Sequence, residues 1–315
     1  MVFATPPFWL ATAIVRVTGS IVPVVSVPPF LTLPRGVTRG VVDLPDARLA
    51  TLQAGPRDSA TRALLVAGFT GSKEDYIAVL PLLGHAGVHA VAYDQVGQYQ
   101  SPTDADEARF TIDALASDVI ALSRAIWPTG PRPHLVGHSL GGLVSRLAVL
   151  TSPVDFASLT LLASGPHAVP EHQRPPLELL QKILPETDLE MVWQAKKALD
   201  ESKGLPEPPV PMREFLHVRW VASSPHGLRA KAGILLTEAD RVDELAAVDL
   251  PTLVMFGSDD DVWSPDTQLA MAGRLGAATV SVPGVGHSPA SEAPEHTARA
   301  LLAFWGLPDT PVSQA

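Results

Sequence analysis

The sequence has no cysteine among its 315 residues. This absence excludes disulfide bonds, thiolate ligands for a metal ion and a cysteine nucleophile, and it fits a reducing compartment. The acidic run at 259–261 could attract a cation, but no histidine stands at a spacing that would complete a metal site. We therefore expect a cytoplasmic protein that holds no metal ion and no cofactor.

Charge is also scarce, since Asp, Glu, Lys and Arg make up only 18% of the residues. The net charge is −10, so the chain has no excess of basic side chains that could bind a phosphate backbone. Nucleic acid is therefore not an expected partner. Apolar residues make up 46% of the chain, which suits a well-buried core and argues against intrinsic disorder.

The first 36 residues lack the features of a signal peptide and those of a membrane span. Arg16 is the only charged residue in positions 1–34, and no basic stretch precedes the apolar residues. Arg16 and the prolines at 23, 28 and 29 interrupt the run of about 20 apolar residues that a transmembrane helix requires. We expect residues 1–36 to form an apolar arm that packs on its own domain or on the partner in a homodimer. Contact with a membrane surface is the alternative.

Strand-like apolar segments alternate with helical patterns along the rest of the chain. The predicted strands are 37–44, 48–55, 62–68, 88–94, 133–137, 158–164, 251–257 and 278–284. The predicted helices are 73–85, 111–126, 140–151, 177–184, 188–199, 213–222, 265–275 and 291–305. This order predicts an α/β fold with a mainly parallel sheet covered on both faces. Residues 167–250 contain helical segments and no convincing strand, so they are expected to form an insertion over the strand ends.

One serine stands in the segment GHSLG, which follows a predicted strand and begins a predicted helix. Glycine weakens strands and helices alike, so Gly137, Gly141 and Gly142 indicate a close backbone approach at this junction. A tight turn from strand to helix is the setting of a nucleophile elbow, which projects the serine hydroxyl from the sheet edge. Ser139 is therefore the candidate nucleophile, with a purely structural turn as the alternative.

A serine nucleophile needs a base that takes its proton and an acid that orients the base. The segment SDDD at 258–261 supplies acids at the end of a predicted strand. His287 lies in a glycine-flanked loop after the next strand, in the chain order Ser, Asp, His. His287 is therefore the candidate base, whereas His134 and His138 are expected to be structural.

These motifs together resemble the α/β-hydrolase fold family, over nearly the whole chain after residue 37. Members of that family commonly carry G-x-x-D-x-x-x-x-P after the seventh strand, and Gly257, Asp260 and Pro265 match this pattern. The resemblance therefore implies that Asp260, rather than its two acidic neighbours, is the acid of a triad with Ser139 and His287.

The resemblance also implies the domain organisation. The expected architecture is a mostly parallel eight-stranded sheet with helices on both faces and a helical cap. Residues 37–166 and 251–315 would form the α/β-hydrolase core, and residues 167–250 would form the cap.

An oxyanion hole made of two backbone N–H groups is a further implication of the resemblance. Leu140, which follows the nucleophile, would supply one N–H. Phe69 would supply the other, from the loop after the third strand, where Gly68 and Gly71 match the family's H-G-x-x-G. Ala67 stands where the family has histidine, so any support that this histidine gives the loop must come from elsewhere.

The segment DQVGQYQS at 94–101 departs from the family in a second way. It is similar to the family's D-x-R-G-x-G-x-S, but Val96 and Tyr99 stand where arginine and the second glycine are expected. These are expected to be scaffold positions.

The expected reaction is hydrolysis of a carboxylic ester, thioester or lactone of a small to medium apolar substrate through an acyl-enzyme. Trp193, Phe215 and Trp220 are candidate pocket walls, and the alternative is that they bury the cap against the sheet. A carbon–carbon hydrolase or a menaquinone-pathway type of lyase would use the same triad with a cationic carboxylate clamp, for which Arg213 and Arg219 are candidates. A cofactor-free perhydrolase is also compatible. A non-catalytic binding protein of this fold is the least expected, because all three triad residues are present.

Overall fold

The computed structural model describes residues 26–308. Eight strands form a single sheet in these residues. They are β1 (Val37–Leu44), β2 (Ala47–Ala54), β3 (Arg62–Val66), β4 (His89–Tyr93), β5 (His134–His138), β6 (Ser158–Leu162), β7 (Thr252–Gly257) and β8 (Ala278–Val282). Their order in the sheet is β1-β2-β4-β3-β5-β6-β7-β8. β2 is antiparallel to both of its neighbours, and the strands from β4 to β8 run parallel. The predicted α/β fold with an eight-stranded, mostly parallel sheet is confirmed.

Eleven α-helices accompany the sheet within residues 26–308. They are α1 (Val79–His85), α2 (Ile112–Ile126), α3 (Leu140–Thr151), α4 (Arg174–Ile183), α5 (Leu189–Ser202), α6 (Val210–Val221), α7 (Pro225–Thr237), α8 (Val242–Ala246), α9 (Pro265–Leu275), α10 (Pro289–Glu292) and α11 (Pro294–Phe304).

The central strands β3 to β7 are buried on both faces of the sheet, and successive strand residues point to opposite sides. In β3, Leu64 and Val66 belong to one hydrophobic cluster, and Ala63 and Leu65 belong to the other. Helices α2, α3 and α9 cover the first face, and α1, α10 and α11 cover the second. This explains why the central strands read as continuous apolar runs in the sequence.

Five helices, α4 to α8, lie between β6 and β7, in the segment predicted as an insertion. Their buried side chains, such as Leu177 and Trp220, belong to the same hydrophobic cluster as the first face of the sheet. A buried ion pair of 2.9 Å between Arg146 of α3 and Glu238 also joins the insertion to the sheet-covering helices. The insertion therefore packs on the sheet-covering layer through a shared core.

The helical predictions differ from the structure in several places. The predicted helix 291–305 is divided into α10 and α11, and the short helix α8 has no counterpart among the predictions. The predicted helix 73–85 is a 3₁₀ turn at Lys73–Tyr76 followed by α1. Helix α7 has no counterpart among the predictions, because its buried side chains include Lys231 together with Leu228 and Leu235, which obscures an apolar stripe.

The predicted arm of residues 1–36 is described only from Ser26 onward, and positions 1–25 lie outside the described residues. Ser26 is buried, and its hydroxyl lies 2.7 Å from the hydroxyl of Ser288. Between residues 26 and 308, no helix has both the length and the apolar character needed to cross a bilayer.

Candidate active site

Ser139 occupies a sharp turn between the end of β5 and the start of α3. Its backbone has φ 54° and ψ −121°, a left-handed conformation that costs a residue with a side chain roughly 1–3 kcal/mol. The neighbouring glycines make the turn possible. A Cβ on Gly137 would lie 2.4 Å from the carbonyl oxygen of Gly141, and a Cβ on Gly141 would lie 2.5 Å from that of Val66. Residues 137–142, named the elbow from here on, therefore have the close backbone approach predicted from the sequence.

Three side chains form a hydrogen-bonded chain at this turn. His287 Nε2 lies 3.0 Å from Ser139 Oγ, and His287 Nδ1 lies 2.9 Å from Asp260 Oδ1. Each side chain follows a different parallel strand, β5, β7 or β8, and the carboxyl ends of parallel strands meet at one edge of the sheet. All three residues are buried. In this arrangement an imidazole can take the serine proton while the carboxylate fixes the imidazole.

Asp260 is the acidic residue of its segment that faces the histidine. Its neighbours Asp259 and Asp261 are exposed. Asp260 Oδ1 also accepts from the backbone N–H of Val262 at 2.9 Å, and Oδ2 accepts from Gln268 Nε2 at 2.8 Å. Gln268 has no motif around it that marks it in the sequence, because its role depends on the start of α9 folding back on the β7 loop.

His138 supports the loop that carries His287. Burial lowers the pKa of His138 to about 3, helped by the charge of His287 when protonated, so the His138 ring is neutral at pH 7. Its Nε2 lies 2.7 Å from the carbonyl oxygen of His287, and because a carbonyl can only accept, Nε2 carries the proton. His138 therefore has a structural role beside the hydrogen-bonded chain.

The loop at residues 67–71, named the oxyanion loop, lies directly against Ser139. A Cβ on Gly68 would be 3.2 Å from Ser139 Cβ. Among residues 26–308, neither the Phe69 N–H nor the Leu140 N–H has a hydrogen-bond partner. Both groups belong to the segments that flank Ser139, and Leu140 begins helix α3, whose N-terminus favours negative charge. Two free donors here can stabilise an oxyanion that forms on a substrate bound to Ser139.

Comparisons with known proteins identify the family of the chain. A profile described as the alpha/beta hydrolase family matches residues 63–300. The chain belongs to the alpha/beta hydrolase family. It is 23% identical to a hydrolase from Pseudomonas aeruginosa PA01 of known structure, with a TM-score of 0.69 over 85% of this chain and 98% of that one. The expected fold family is thus confirmed.

Two relatives of this alpha/beta hydrolase are named for the bonds that they cleave. A protein of Variovorax paradoxus, provisionally named carbamate hydrolase RutD, is 41% identical over 108 residues, which is 34% of this chain and 39% of the relative. Pimeloyl-[acyl-carrier protein] methyl ester esterase of Aeromonas hydrophila is 30% identical over 183 residues, covering 56% of this chain and 67% of the relative. The match to the first relative therefore spans well under half of its length. These names support the prediction of an ester-hydrolysing enzyme.

A cavity opens in front of Ser139 and has a volume of about 480 Å³, including the part open to solvent. Residues 68–71, His138 and His287 form its floor. Its apolar walls are Val169, Leu177, Leu235 and Val262. Ser26 and Gln173 add polar groups at its edge. The insertion therefore supplies most of the wall that faces the serine.

The three aromatic residues predicted as pocket walls lie outside this cavity. Trp193 and Trp220 line a second, smaller pocket that shares Thr70 with this cavity, and the buried Trp220 donates from Nε1 to the carbonyl oxygen of Leu189 at 2.8 Å. The Phe215 ring makes an edge contact with Tyr99 at a centroid distance of 5.6 Å. The wall residues that the sequence did not single out are apolar residues with no distinguishing motif, so only the packing of the helices identifies them.

The two arginines considered as a carboxylate clamp are already paired. Arg213 forms an ion pair with Glu207. Arg219 is buried and donates to Asp75 Oδ1 at 2.8 Å and to the carbonyl oxygen of Ser26 at 2.6 Å. Among the described residues that line the cavity, none has a lysine or arginine side chain. The cavity wall therefore offers a bound substrate no fixed cation.

Proposed function

We propose that this protein is a serine hydrolase that cleaves carboxylic ester, thioester or lactone bonds of a small to medium apolar substrate. The observation that carries the proposal is the hydrogen-bonded chain of Ser139, His287 and Asp260, with two unpartnered N–H groups on the segments that flank the serine. A hydroxyl, a base and an orienting acid in this order are what acyl transfer requires.

In the acylation step, Ser139 Oγ forms a bond to the carbonyl carbon while His287 Nε2 takes the hydroxyl proton. The carbonyl oxygen becomes an oxyanion, which accepts hydrogen bonds from the N–H groups of Phe69 and Leu140. His287 then gives its proton to the leaving oxygen or sulfur as the bond from that atom to the carbonyl carbon breaks. The product is an acyl group on Ser139 and a free alcohol or thiol.

Deacylation repeats the sequence with water as the nucleophile. Water loses a proton to His287 Nε2 as its oxygen bonds to the acyl carbon, and the proton returns to Ser139 Oγ as the acyl–serine bond breaks. Asp260 accepts from His287 Nδ1 throughout, which keeps the other ring nitrogen facing Ser139 and stabilises the protonated ring.

The composition of the cavity favours an apolar acyl group. Val169, Leu177, Leu235 and Val262 provide an apolar wall, and apolar surface removed from water contributes about 25 cal/mol per Å². Carbon–carbon hydrolysis or lyase chemistry on a carboxylate-bearing substrate would need a fixed cation beside the serine. Because Arg213 and Arg219 are already paired, ester-type bonds are the better match.

The test is hydrolysis of a p-nitrophenyl ester series from acetyl to palmitoyl by the wild-type protein, Ser139→Ala and Ser145→Ala. Ser145 lies on helix α3, which begins directly after Ser139. Its buried hydroxyl has no partner among the described residues and does not line the cavity, so its loss makes the same chemical change away from the cavity. We expect Ser139→Ala to lose about 10⁴-fold or more in kcat and Ser145→Ala to keep the wild-type value.

The dependence of kcat on the acyl chain length measures the size of the acyl pocket. A parallel series with added hydrogen peroxide measures perhydrolysis. A folded wild-type protein that hydrolyses no ester, or a Ser139→Ala protein as active as wild type, would contradict the proposal.

A further inference from the structure

The oxyanion loop is held from outside by two glutamine side chains. Gln95 Nε2 donates to the carbonyl oxygen of Ala67 at 2.8 Å. Gln98 Nε2 donates to the carbonyl oxygens of Gly68 at 2.9 Å and Phe69 at 2.7 Å. Three successive carbonyl groups of the loop therefore have side-chain amide donors as partners, and both glutamines are buried.

The bond to Gly68 has a direct consequence for the Phe69 N–H. The Gly68 carbonyl and the Phe69 N–H belong to one planar trans peptide unit, in which the two bonds point in opposite directions. A donor that holds the Gly68 oxygen on one side therefore turns the Phe69 N–H toward the other. The only other bond to this oxygen among residues 26–308 comes from Gly71 N–H at 3.3 Å, within the loop itself.

The segment that carries the two glutamines, residues 94–101, is itself fixed; we name it the glutamine loop. Gln98 Oε1 accepts from the Gln95 N–H at 3.2 Å, which fixes the orientation of the Gln98 amide. Helix α7 and the residue before it contribute two further bonds. Lys231 Nζ donates to the Val96 carbonyl oxygen at 2.9 Å, and the Ser224 N–H donates to the Gly97 carbonyl oxygen at 2.8 Å. The glutamine loop is thus a rigid link between the insertion and the oxyanion loop.

We propose that Gln98, assisted by Gln95, is the positioning residue that aims the Phe69 N–H at the oxyanion, supplying the support that a histidine at position 67 would otherwise give. The role concerns the same site and rests on the proposed serine hydrolase function. Gln98 itself stays behind the loop and acts through the Gly68–Phe69 peptide. Its contribution belongs to the transition state and the tetrahedral intermediate, because the bound substrate carries no oxyanion.

The test compares Gln98→Met, Gln98→Glu and Gln100→Glu. Gln98→Met keeps the approximate volume and removes the donor. Gln98→Glu removes the donor only while the carboxyl is ionised, so acidic pH restores one O–H donor. Gln100 is the matched control in the same loop, because its Oε1 accepts from Lys73 Nζ at 2.8 Å and a carboxylate can accept equally well.

We expect kcat on a p-nitrophenyl ester to fall about 10- to 100-fold in Gln98→Met, with KM unchanged, since a displaced oxyanion donor loses part of its effect. The ratio of the kcat of Gln98→Glu to the kcat of Gln98→Met, measured at the same pH, should rise as the pH is lowered. Gln100→Glu should keep the wild-type kcat. A kcat within about twofold of wild type in Gln98→Met would overturn the proposal. A KM that rises by the same factor as kcat falls would also overturn it.

Amide hydrogen exchange separates this proposal from the proposed function. In Gln98→Met we expect faster exchange in residues 67–71 and unchanged exchange in residues 137–142. This readout needs no turnover, so it remains decisive if the wild-type protein hydrolyses no ester and the hydrolase proposal fails. Unchanged exchange in residues 67–71 would overturn the positioning role whatever the activity.

Discussion

The elbow and the oxyanion loop flank the same serine, but different forces hold them. The elbow is held by close backbone approach. A Cβ on Gly137 would meet the Gly141 carbonyl oxygen at 2.4 Å, and a Cβ on Gly141 would meet the Val66 carbonyl oxygen of β3 at 2.5 Å. The oxyanion loop is held by the side-chain amides of Gln95 and Gln98, which lie about 30 residues further along the chain.

This difference explains why one segment keeps the family motif and the other departs from it. A turn defined by backbone contact tolerates only glycine at the contact points, so its pattern remains visible in the local sequence. A loop defined by side-chain donors can lose one supporting residue, as at Ala67, when donors at other positions reach the same carbonyls. The departure at position 67 and the glutamines of residues 94–101 are therefore two parts of one structural solution.

Gly141→Ala should have the largest effect on stability and activity, because Gly141 lies where the elbow touches the oxyanion loop. Its added methyl group would lie 2.5 Å from the Val66 carbonyl oxygen and 2.6 Å from that of Ala67, and backbone cannot yield as a side-chain end can. We expect the free energy of unfolding to fall by about 3 kcal/mol or more in urea titrations, with kcat reduced as well.

Gly273→Ala is the matched control, since a Cβ there meets no atom within 4 Å on helix α9. It should raise stability by about 0.5–1 kcal/mol through helix propensity. A Gly141→Ala protein as stable as wild type would mean that the contact between elbow and oxyanion loop is adaptable.

Lys231→Met should change the free energy of unfolding by an intermediate amount that depends on pH. The substitution affects the glutamine loop and leaves the elbow unchanged. Burial lowers the pKa of Lys231 from 10.5 to about 7, and the charge of Asp118 opposes this. Between these two values the unfolded chain binds more protons than the folded protein, so the free energy of unfolding of wild type rises with pH. Below about pH 7 this contribution is constant.

We therefore expect the stability of wild type relative to Lys231→Met to increase from pH 7 to pH 10 in urea unfolding at fixed ionic strength. Lys182→Met, at an exposed position on α4, is the control and should follow the wild-type curve. Parallel curves for wild type and Lys231→Met would show that Lys231 is not the origin of the pH dependence.

Ser164→Ala should have the smallest effect, because the elbow depends little on outside side chains. Ser164 Oγ donates to the Ser139 carbonyl oxygen at 2.8 Å, but that oxygen also accepts from the Gly142 N–H at 2.9 Å. Since the carbonyl stays paired, we expect a loss of about 1 kcal/mol in stability and little change in kcat. A tenfold or larger fall in kcat, or about 1.4 kcal/mol in the barrier, would show that the elbow needs outside support as the oxyanion loop does.

The sequence predicted the sheet to within one or two residues at each strand end. The five central strands, β3 to β7, are the clearest, because buried parallel strands are continuous apolar runs. It also predicted that Ser139, Asp260 and His287 would meet. Each follows a separate parallel strand, and those strand ends converge whatever the details of packing. Apart from the choice of Asp260 over its acidic neighbours, which the family resemblance implied, these features follow from local pattern and chain order, so the amino-acid sequence alone determined them.

Only the tertiary structure decided which side chains surround that site. Gln268 on Asp260, Gln98 on the oxyanion loop and Leu177 on the cavity wall come from distant segments and carry no local motif. The aromatic residues expected at the wall, Trp193 among them, lie elsewhere because α4 and α7 line the cavity, whereas α5 and α6 carry the aromatic residues. Such contacts depend on how helices dock across the sheet, where many apolar or amide side chains could serve equally, and the docking itself selects among them.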